Sequence, residues 1–430
     1  MLIVMERTNR QVKDLSSGIA FDPSDHSFVV NPYPRYAELR EAPVLHRTAE
    51  DLWVLTRHED VMSVLRDARM SSDPRHLQGV RAERRQDMPL FGEDGPKVML
   101  FADPPDHSRL RRLANKAFTP AAVNKLRPEV ERMVNALIRA GIERDPTSLD
   151  LMVDLAEPLP VLVICRLLGV PSQDHHQFKP WSTAIARVLD PSPDPELFDQ
   201  AVPAVVGFIS YFGDLIEKRR ADPRDDLLSA LIQAESNGES LTTSELFAMI
   251  ILLFVAGHET TTNLLGNGML ALLRHRDQLD WLRRNPEQAA KATEELLRYD
   301  SPVQLTARTA TTDLELNGLE LEKGEGVICA LAAANRDPRY VEDPDCLLLA
   351  RGKPTHLAFG NGLHHCLGAP LARLEGATVF PAIVRCFPSM ELSDDHLVYR
   401  DHFVLRGLSS LPVSLGVIDT GQLSSLGALP

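Results

Sequence analysis

A nearly unbroken succession of helical patterns most constrains the fold of this chain. Segments with the periodicity of helices, separated by Pro and Gly signals, cover residues 107–117, 120–141, 150–168, 174–189, 196–219, 225–236, 243–274, 276–283 and 286–300. After Ser301-Pro302 the stretches VQLTART, LELNGLELEKGEGVICAL and HFVLRG have the pattern of strands, and PVLHRTAEDLWVLTRHEDV predicts an early hairpin. The sequence therefore predicts a mainly α-helical protein with small β-sheets at both ends.

The chain is predicted to form one domain over residues 1–430, since neither a linker nor an internal repeat is present. Residues 1–30 are a lead-in, with a short helix expected next at 33–42, and residues 416–430 are predicted to be a loose tail. Residues 79–105 lack a sustained period but carry interleaved apolar side chains, which favours a folded lid over a disordered loop.

Charge and cysteine usage exclude several classes of protein. Lys plus Arg number 46 against 60 Asp plus Glu, a net charge of −14, which argues against a nucleic-acid binder. The five cysteines form no C-x-x-C pair and favour a reducing compartment. The apolar start MLIVM is too short for a signal peptide, and the run Leu246 to Gly257 is too short for a membrane span. We therefore expect a soluble cytoplasmic protein.

A glycine-rich loop, FGNGLHHCLG at residues 359–368, carries two histidines and a cysteine. Its glycines permit positive φ and let another group lie against the chain. Cys366 precedes a helix that begins near Pro370, where helix N–H groups lower the pKa of a thiol and suit a ligand for a flat cofactor. A buried structural cysteine is the ordinary alternative. A zinc site on His364, His365 and Cys366 is disfavoured, because adjacent side chains point in different directions.

The stretch FVAGHETTTN places three threonines in the longest helical segment. Thr260 is predicted to bond back to the carbonyl of Ala256, so that the helix bulges or kinks beside Gly257. A buried acid beside a hydroxyl, Glu259 with Thr260, suggests proton delivery. A polar turn facing the surface explains the motif equally well.

Two further groups of charged residues are candidates for binding or structural roles. Glu295 and Arg298 share a helix face, which in isolation indicates an exposed ion pair of small worth. His107 and Arg111 also share a face, and with Arg308 they could donate to an anionic group or simply be solvated.

Taken together, these stretches resemble the cytochrome P-450 family of haem-thiolate monooxygenases. FGNGLHHCLGAPLAR resembles its cysteine loop, AGHETT its oxygen-activating helix, EELLR its E-x-x-R helix and AANRDP the approach to its meander, while DPPDHSRLRR resembles the soluble bacterial branch. The resemblance extends from about Asn31 to Leu415. It implies a single P-450 fold, with an α-rich region and a smaller β-rich region.

The resemblance also implies a role for each matching residue. Cys366 would be the thiolate ligand to the iron of haem b, and Thr260 with Glu259 would deliver protons to bound dioxygen. His107, Arg111, Arg308 and His364 would bind the haem propionates, with His365 incidental. The residues implied beside the haem are Ala256, Phe359, Gly360 and Gly368. Glu295 and Arg298 would form a structural network under the cysteine loop.

One departure from the family pattern concerns that network. DCLLLAR has Cys346, Leu347 and Leu348 where many relatives have Arg, Phe and Asp. We predict Arg336 as the third arm of the network and Arg351 as the second choice. A less firmly held meander is expected to lower stability or loosen haem retention.

The implied activity is insertion of one oxygen atom from O2 into a medium or large apolar compound of secondary metabolism, by hydroxylation or epoxidation. Predicted substrate contacts are Leu90, Phe91, Val98, Ile250, Phe254, Val255, Val303, Leu305, Phe403 and Val404. The alternatives are oxidative coupling or desaturation at the same haem, a haem-binding sensor without catalysis, and a zinc hydrolase using His364 and Cys366.

Electrons from NAD(P)H are expected to arrive through ferredoxin and ferredoxin reductase, since the chain has no flavin-binding or iron–sulfur cysteine pattern. The predicted docking face for ferredoxin comprises Arg109, Arg111, Arg112, Lys116, Arg351, Lys353 and Arg373. We expect a monomer that binds neither nucleic acid nor a membrane.

Overall fold

The computed structural model of the protein describes residues 21, 25–41, 46–48, 52–78, 97–189, 195–236, 238–352 and 355–425. The α-helices are α1 His26–Val30, α2 Tyr33–Glu41, α3 His58–Arg66, α4 Asp106–Ala117, α5 Pro120–Lys125, α6 Arg127–Arg144, α7 Pro158–Leu168, α8 Phe178–Ala186, α9 Pro195–Ala221, α10 Leu227–Gln233, α11 Thr243–Arg274, α12 Arg276–Arg284, α13 Ala289–Tyr299, α14 Leu331–Ala334, α15 Ala369–Cys386 and α16 Thr420–Ser425. The mainly helical character predicted from the sequence is confirmed.

The strands are short and lie mostly outside the helical region. They are β1 His46–Arg47, β2 Trp53–Leu55, β3 Met70–Ser71, β4 Ser148–Asp150, β5 Glu235–Ser236, β6 Glu239–Ser240, β7 Thr306–Ala310, β8 Leu314–Leu316, β9 Leu319–Leu321, β10 Gly326–Cys329, β11 Glu391–Leu392 and β12 Pro412–Ser414. A five-stranded sheet has the order β1-β2-β10-β7-β3, and a three-stranded sheet the order β11-β12-β4. β5 pairs with β6, and β8 with β9. The Asn317-Gly318 turn between β8 and β9 has positive φ at both residues, which this residue pair favours.

α11 is the central helix, and its start is specified locally. Thr242 and Glu245 form a capping box, in which the Thr242 hydroxyl accepts from the Glu245 N–H and the Glu245 carboxylate accepts from the Thr242 N–H. Beyond this cap nearly all of the helix is buried, against α7, α8, α13 and α15. Within the described residues α11 is also the one helix long and apolar enough to span a membrane, and 67% of its most apolar stretch is buried in the protein.

A cluster of aromatic rings joins α11 to α8 and α9. Phe254 stacks on Phe178 with ring centroids 4.7 Å apart, and Phe208 and Phe212 pack on the same pair. All four rings are fully buried, so this side of α11 belongs to the hydrophobic core. The helix is thereby held with its opposite side free to line a cavity.

Several predicted elements differ from the structure, among them the following three. The segment 120–141 divides into α5 and α6, because Pro128 begins a new helix. HFVLRG forms no strand and contributes a single bridge between Leu405 and Val303. The described part of the predicted loose tail carries α16, whose Leu423 carbonyl accepts from Arg139 at 3.0 Å.

Candidate active site

A cavity of about 1040 Å³ lies between α11, the start of α15 and the five-stranded sheet. Its walls are mainly aliphatic, and polar groups enter at separate places. Cys366 is on the α15 side, Thr260 on the α11 side, and a group of histidines and arginines is at one edge. The cavity therefore combines an apolar interior with a thiol and a hydroxyl.

The backbone of the glycine-rich loop brings Cys366 to this cavity. Gly362 has φ +68°, and a Cβ there would lie 2.3 Å from the carbonyl oxygen of Leu65, so only glycine fits. The Cys366 N–H donates to the Phe359 carbonyl at 2.9 Å. Gly368 has an ordinary φ of −80° and is the N-cap of α15. The positive φ allowed by the sequence is thus used at Gly360 and Gly362 and not at Gly368.

Opposing influences act on the Cys366 thiol. Burial raises its pKa, while the N–H groups of Gly368 and Ala369 and the charges of Arg111 and Arg373 lower it; burial outweighs them. The N–H groups at the start of α15 thus act on the thiol as the sequence predicted. The net direction differs from the prediction, because the protein around the sulfur solvates a thiolate poorly, although Cys366 is exposed toward the cavity that it lines.

Four basic side chains meet at one edge of the cavity. The rings of His107 and His364 lie 4.1 Å apart, and Arg111 and Arg308 line the same edge. Burial and the neighbouring positive groups lower the pKa of His364 to about 3, and burial lowers the pKa of Arg308 and Arg111 as well. The buried Nδ1 of His107 has no hydrogen-bond partner among the described residues. These four side chains could therefore bind an anionic group at the cavity edge.

Thr260 and Glu259 face opposite sides of α11. The Thr260 hydroxyl lines the cavity and donates to the Ala256 carbonyl at 2.5 Å, although α11 stays α-helical there without the predicted bulge. Glu259 is buried behind the helix, where it accepts from Thr183 at 2.5 Å and from Arg400 at 2.6 Å. Burial raises the pKa of Glu259, but His258, Arg400 and Thr183 outweigh it, so the pKa lies below the usual value.

The predicted substrate contacts divide into three groups. Those that line the cavity are Val255, Val303, Leu305 and Val404. Ile250, Phe254 and Phe403 do not line it: Ile250 and Phe254 lie on the core side of α11, and Phe403 packs on Phe21 and Phe28. Val98 precedes the 3₁₀ turn Met99–Phe101, whose residues line the cavity in its place. Two predicted substrate contacts, Leu90 and Phe91, lie outside the described residues, as does Lys353 of the predicted docking face.

Helical spacing from the predicted residues Ala256 and Thr260 could have found Leu253 and Leu264, which were missed on α11. The four residues recur every three or four positions and share the cavity side of the helix. Sequence reasoning gave no signal for Arg400, which lies 141 residues beyond its partner Glu259.

Glu295 and Arg298 form a fully buried network. Their spacing in the sequence, taken in isolation, had indicated an exposed ion pair. Both side chains are 0% exposed and join by two hydrogen bonds of 2.8 Å. Arg298 also donates to the carbonyls of Asn335, Pro344 and Cys346. The backbone of this segment, and not the Cys346 side chain, supplies its contacts.

The third arm of this network is Arg351, which donates to Glu295 at 3.2 Å. The first choice, Arg336, is wrong as a partner of Glu295: it donates to the Tyr299 carbonyl and to Asp345, and it stacks on Tyr33. These groups hold the guanidinium of Arg336.

The arginines of the predicted docking face are largely paired within the protein. Arg109 binds Glu245, Arg112 binds Glu239 and Arg373 binds Glu294. Arg111 lines the cavity edge, and Arg351 is part of the buried network. A shallow depression lined by Arg112, Asn115, Lys116 and the half-exposed Leu363 lies on the surface beside His107.

Comparison with known proteins places these features in one family. A family model described as Cytochrome P450 matches residues 43–410. The chain is a cytochrome P450. It is 40% identical to the polyketide biosynthesis cytochrome P450 PksS of Bacillus subtilis (strain 168), over 92% of this chain and 99% of PksS. It is also 40% identical to the vitamin D(3) 25-hydroxylase of Pseudonocardia autotrophica, over 96% of this chain and 99% of that enzyme.

The solved structure of the Bacillus subtilis 168 bacillaene polyketide synthase cytochrome P450 PksS superposes on this P450 with a TM-score of 0.83. The two chains are 39% identical, and the superposition covers 92% of this chain and 100% of the PksS chain. The P450 fold predicted from the cysteine loop and the helices is confirmed. This P450 is therefore an oxidoreductase that incorporates oxygen from O2, with haem-thiolate iron as its cofactor.

The residues of this P450 fit a haem on two independent grounds. Among the described residues, no carboxylate forms an ion pair with the basic group of His107, Arg111, Arg308 and His364. Asp103 acts on this group from nearby, and two propionates would supply further negative charge. The Cys366 thiol opens on a cavity with mainly aliphatic walls, which it lines together with Phe359, Gly360 and Gly368. A flat anionic cofactor with a metal that accepts a thiolate satisfies both.

Proposed function

We propose that this P450 holds its haem through Cys366 and oxidises a medium-to-large apolar compound of secondary metabolism, by hydroxylation or epoxidation. The observation that carries the proposal is the shared cavity, onto which the Cys366 thiol and the Thr260 hydroxyl both open within mainly aliphatic walls. A bound haem supplies the activation of dioxygen. The remaining contributions come from this chain.

The cysteine side of the cavity stabilises a thiolate. The N–H groups of Gly368 and Ala369 and the positive charges of Arg111 and Arg373 all favour the ionised sulfur. Burial opposes them only until a cation balances the charge, so a bound metal would leave their effect dominant. The four basic groups at the cavity edge, His107, Arg111, Arg308 and His364, would hold the propionates of the cofactor.

Proton delivery is the proposed task of Thr260 and Glu259. Since the Thr260 hydrogen is directed at the Ala256 carbonyl, the oxygen lone pairs of Thr260 can accept a hydrogen bond on the cavity side. Glu259 is the adjacent buried carboxylate, and it reaches the other side of the helix. Together they would pass protons from behind α11 into the cavity.

The substrate class follows from the cavity and from the relatives. The cavity walls are mainly aliphatic, which suits a ligand with few charges. PksS is named for polyketide biosynthesis and the second relative for vitamin D(3). Both names fit an extended apolar compound, so we propose a polyketide-like or sterol-like substrate.

An absorption spectrum tests the cofactor assignment. The reduced protein with carbon monoxide should give the strongly red-shifted Soret band of thiolate-ligated haem, and Cys366→Ser should lose that band. Cys346→Ser is the matched control, because Cys346 is exposed like Cys366 but does not line the cavity. A wild-type protein without the band, or Cys366→Ser with it, would refute Cys366 as the ligand.

We propose ferredoxin as the electron donor, docking at the depression around Lys116 and Leu363. An acidic partner would reach this site by electrostatic attraction, so reduction should slow as salt is raised. The measurement is the rate of reduction by ferredoxin at increasing ionic strength, for wild type and Lys116→Glu. Equal rates for both proteins at all salt concentrations would contradict this docking site.

A further inference from the structure

The outward side of α9 carries a stripe of apolar side chains in contact with solvent. Val202, Val206 and Ile209 recur at spacings of four and three residues, so they share one face of the helix. They are 54%, 59% and 43% exposed, although large aliphatic side chains are ordinarily buried. β-branched residues are also weaker helix formers than Ala, Lys or Glu. The three residues therefore contribute little to one molecule on its own, and such a stripe is typical of a surface that a partner covers.

Two glycines inside α9 have different surroundings. At Gly207 a Cβ would lie 2.6 Å from the Trp181 ring, so packing within the molecule requires a glycine there. At Gly213, among the described residues, a Cβ would meet only the Phe247 ring at 4.0 Å, which is an ordinary contact. A glycine inside a helix costs about 1 kcal/mol relative to alanine. Packing within the molecule does not account for that cost at Gly213, which leaves a gap four residues beyond Ile209 on the same face.

Charges of opposite sign lie at the two ends of the stripe. Asp199 precedes Val202 by three residues, and Arg220 follows Gly213 by seven, so both share the face of the stripe. Arg220 also donates to Glu217 on its own helix at 2.7 Å. The midpoint of residues 199 and 220 and that of residues 206 and 213 both fall between residues 209 and 210. A single antiparallel register of two α9 helices would therefore bring Asp199 to Arg220 and Val206 to the gap at Gly213.

We propose that α9 pairs antiparallel with α9 of a second copy of this chain, about a twofold axis between residues 209 and 210. Val206 of each copy would fill the gap at Gly213 of the other, and Asp199 would meet Arg220 at both ends. One helix face buries less than the ~800 Å² per partner of a standard interface, so the dimer should form reversibly at micromolar concentrations. The monomer expected from the sequence is then the dilute form. This inference goes beyond the proposed oxidation and does not depend on it.

The charges beside the stripe favour a second copy over a lipid surface. A helix that lies on a membrane carries Lys and Arg on the flanks of its apolar face. Here Asp199, Asp214 and Glu217 are exposed along the stripe, and they would be repelled by anionic lipids. A second copy supplies both signs of charge and the apolar face together.

The interface would lie beside an opening of the cavity. Phe198 and Asp199, in the first turns of α9, line the cavity, and Asp199 is also exposed. The cavity therefore reaches the surface near the start of α9, where the second copy would cover the protein.

Sedimentation velocity of the haem-loaded enzyme tests the pairing. The mass of the wild type should rise from that of one chain toward that of two as its concentration is raised from about 1 to about 200 µM. Val206→Glu should weaken self-association at least about tenfold, because it places two like charges in the interface. Val417→Glu is the matched control, since Val417 is 66% exposed and lies outside α9.

Filling the gap separates association from folding. Gly213→Leu should also weaken self-association at least about tenfold, because Val206 of the second copy loses its place. Its thermal unfolding temperature should not fall, since leucine is a good helix former and the position is open within one molecule.

A charge exchange tests the antiparallel register. Asp199→Lys and Arg220→Glu should each weaken self-association, and the double variant should restore it, because the two residues meet across the twofold axis. A wild-type enzyme with the mass of one chain at every concentration would overturn the inference, as would equal dissociation constants for wild type and Val206→Glu. Binding to phosphatidylglycerol vesicles that depends on Val206, without self-association, would overturn it in favour of a membrane.

Discussion

Two buried carboxylates of this P450, Glu295 and Glu259, both bind arginines, and their surroundings differ. The side chains of Glu295 and Arg298 are 0% exposed. All three guanidinium nitrogens of Arg298 donate hydrogen bonds, to Glu295 and to three backbone carbonyls. Glu259 also has an arginine partner, but Arg400 divides its hydrogen bonds between two acids and is 20% exposed. We call the first network closed, because Arg298 has no partner outside it among the described residues. In the second, Arg400 is shared between Glu259 and Glu157.

The difference shows what makes an ion pair structural or adjustable. A closed network leaves an unpaired buried charge whenever one member moves, so its members stay together. Arg400 can leave Glu259 and stay paired with Glu157, and Glu259 then keeps only the Thr183 hydroxyl as a donor. The two sites therefore suit different tasks, although each pairs a buried helix glutamate with an arginine.

The largest expected effect comes from breaking the closed network. Arg298→Ala should lower the free energy of unfolding by about 3–5 kcal/mol or prevent folding, because it leaves Glu295 buried without its main partner. Denaturant unfolding with circular dichroism is the measurement. A stability within about 0.5 kcal/mol of wild type would show that the network is not closed.

A smaller effect is expected at the shared arginine. Arg400→Gln should lower the free energy of unfolding by about 1–2 kcal/mol, since the amide retains some hydrogen bonding and Glu259 keeps Thr183. The comparison of the two sites would break down if Arg400→Gln cost as much as Arg298→Ala in the same unfolding experiment.

The third arm of the closed network can be identified by double-mutant cycles with Glu295→Gln. Arg351→Ala should show a coupling of about 1 kcal/mol with Glu295, because it donates to that carboxylate. Arg336→Ala should destabilise through its lost stacking on Tyr33 yet show no coupling. Coupling at Arg336 alone would restore the order predicted from the sequence. Cys346→Arg should change stability by less than about 0.5 kcal/mol, since that side chain is exposed and outside the network.

The smallest effect concerns a half-exposed pair that calibrates the buried ones. Burial raises the pKa of Glu294, but hydrogen bonds from His356 and Arg373 outweigh it and bring the pKa to about 2, from an ordinary 4.5. The stability from this depressed pKa is present above pH 4.5 and is lost as pH falls toward 2. Because Arg373 is 39% exposed, the loss should stay below about 1 kcal/mol. Glu294→Gln should flatten this part of the pH–stability curve, and an unchanged acid limb would contradict the assignment.

Local patterns were sufficient for several parts of this P450. The capping box at Thr242 and Glu245 and the apolar run behind it specified α11 to the residue. The alternating pattern before the meander produced β8, β9 and β10 as predicted. The glycine spacing around Cys366 matched a loop that passes under Leu65 without room for a Cβ at Gly362. These features depend on neighbours a few residues away.

Predictions failed where distant segments choose a face or a partner. Phe254 is apolar and near Thr260 in sequence, which favoured a place in the cavity wall. Instead its ring packs in the core against rings from α8 and α9. Arg336 and Arg351 are equally plausible partners for Glu295 in the sequence, and the path of the backbone decides between them.

The sequence by itself determined the family, the helical fold, the thiol on its glycine loop and the acid–hydroxyl pair, because each is written in contiguous residues with a local physical cause. Only the tertiary structure decided which side of α11 forms the cavity and that Arg400 holds Glu259 across 141 residues. Contacts of that separation depend on how complete elements pack together, and no local pattern encodes them.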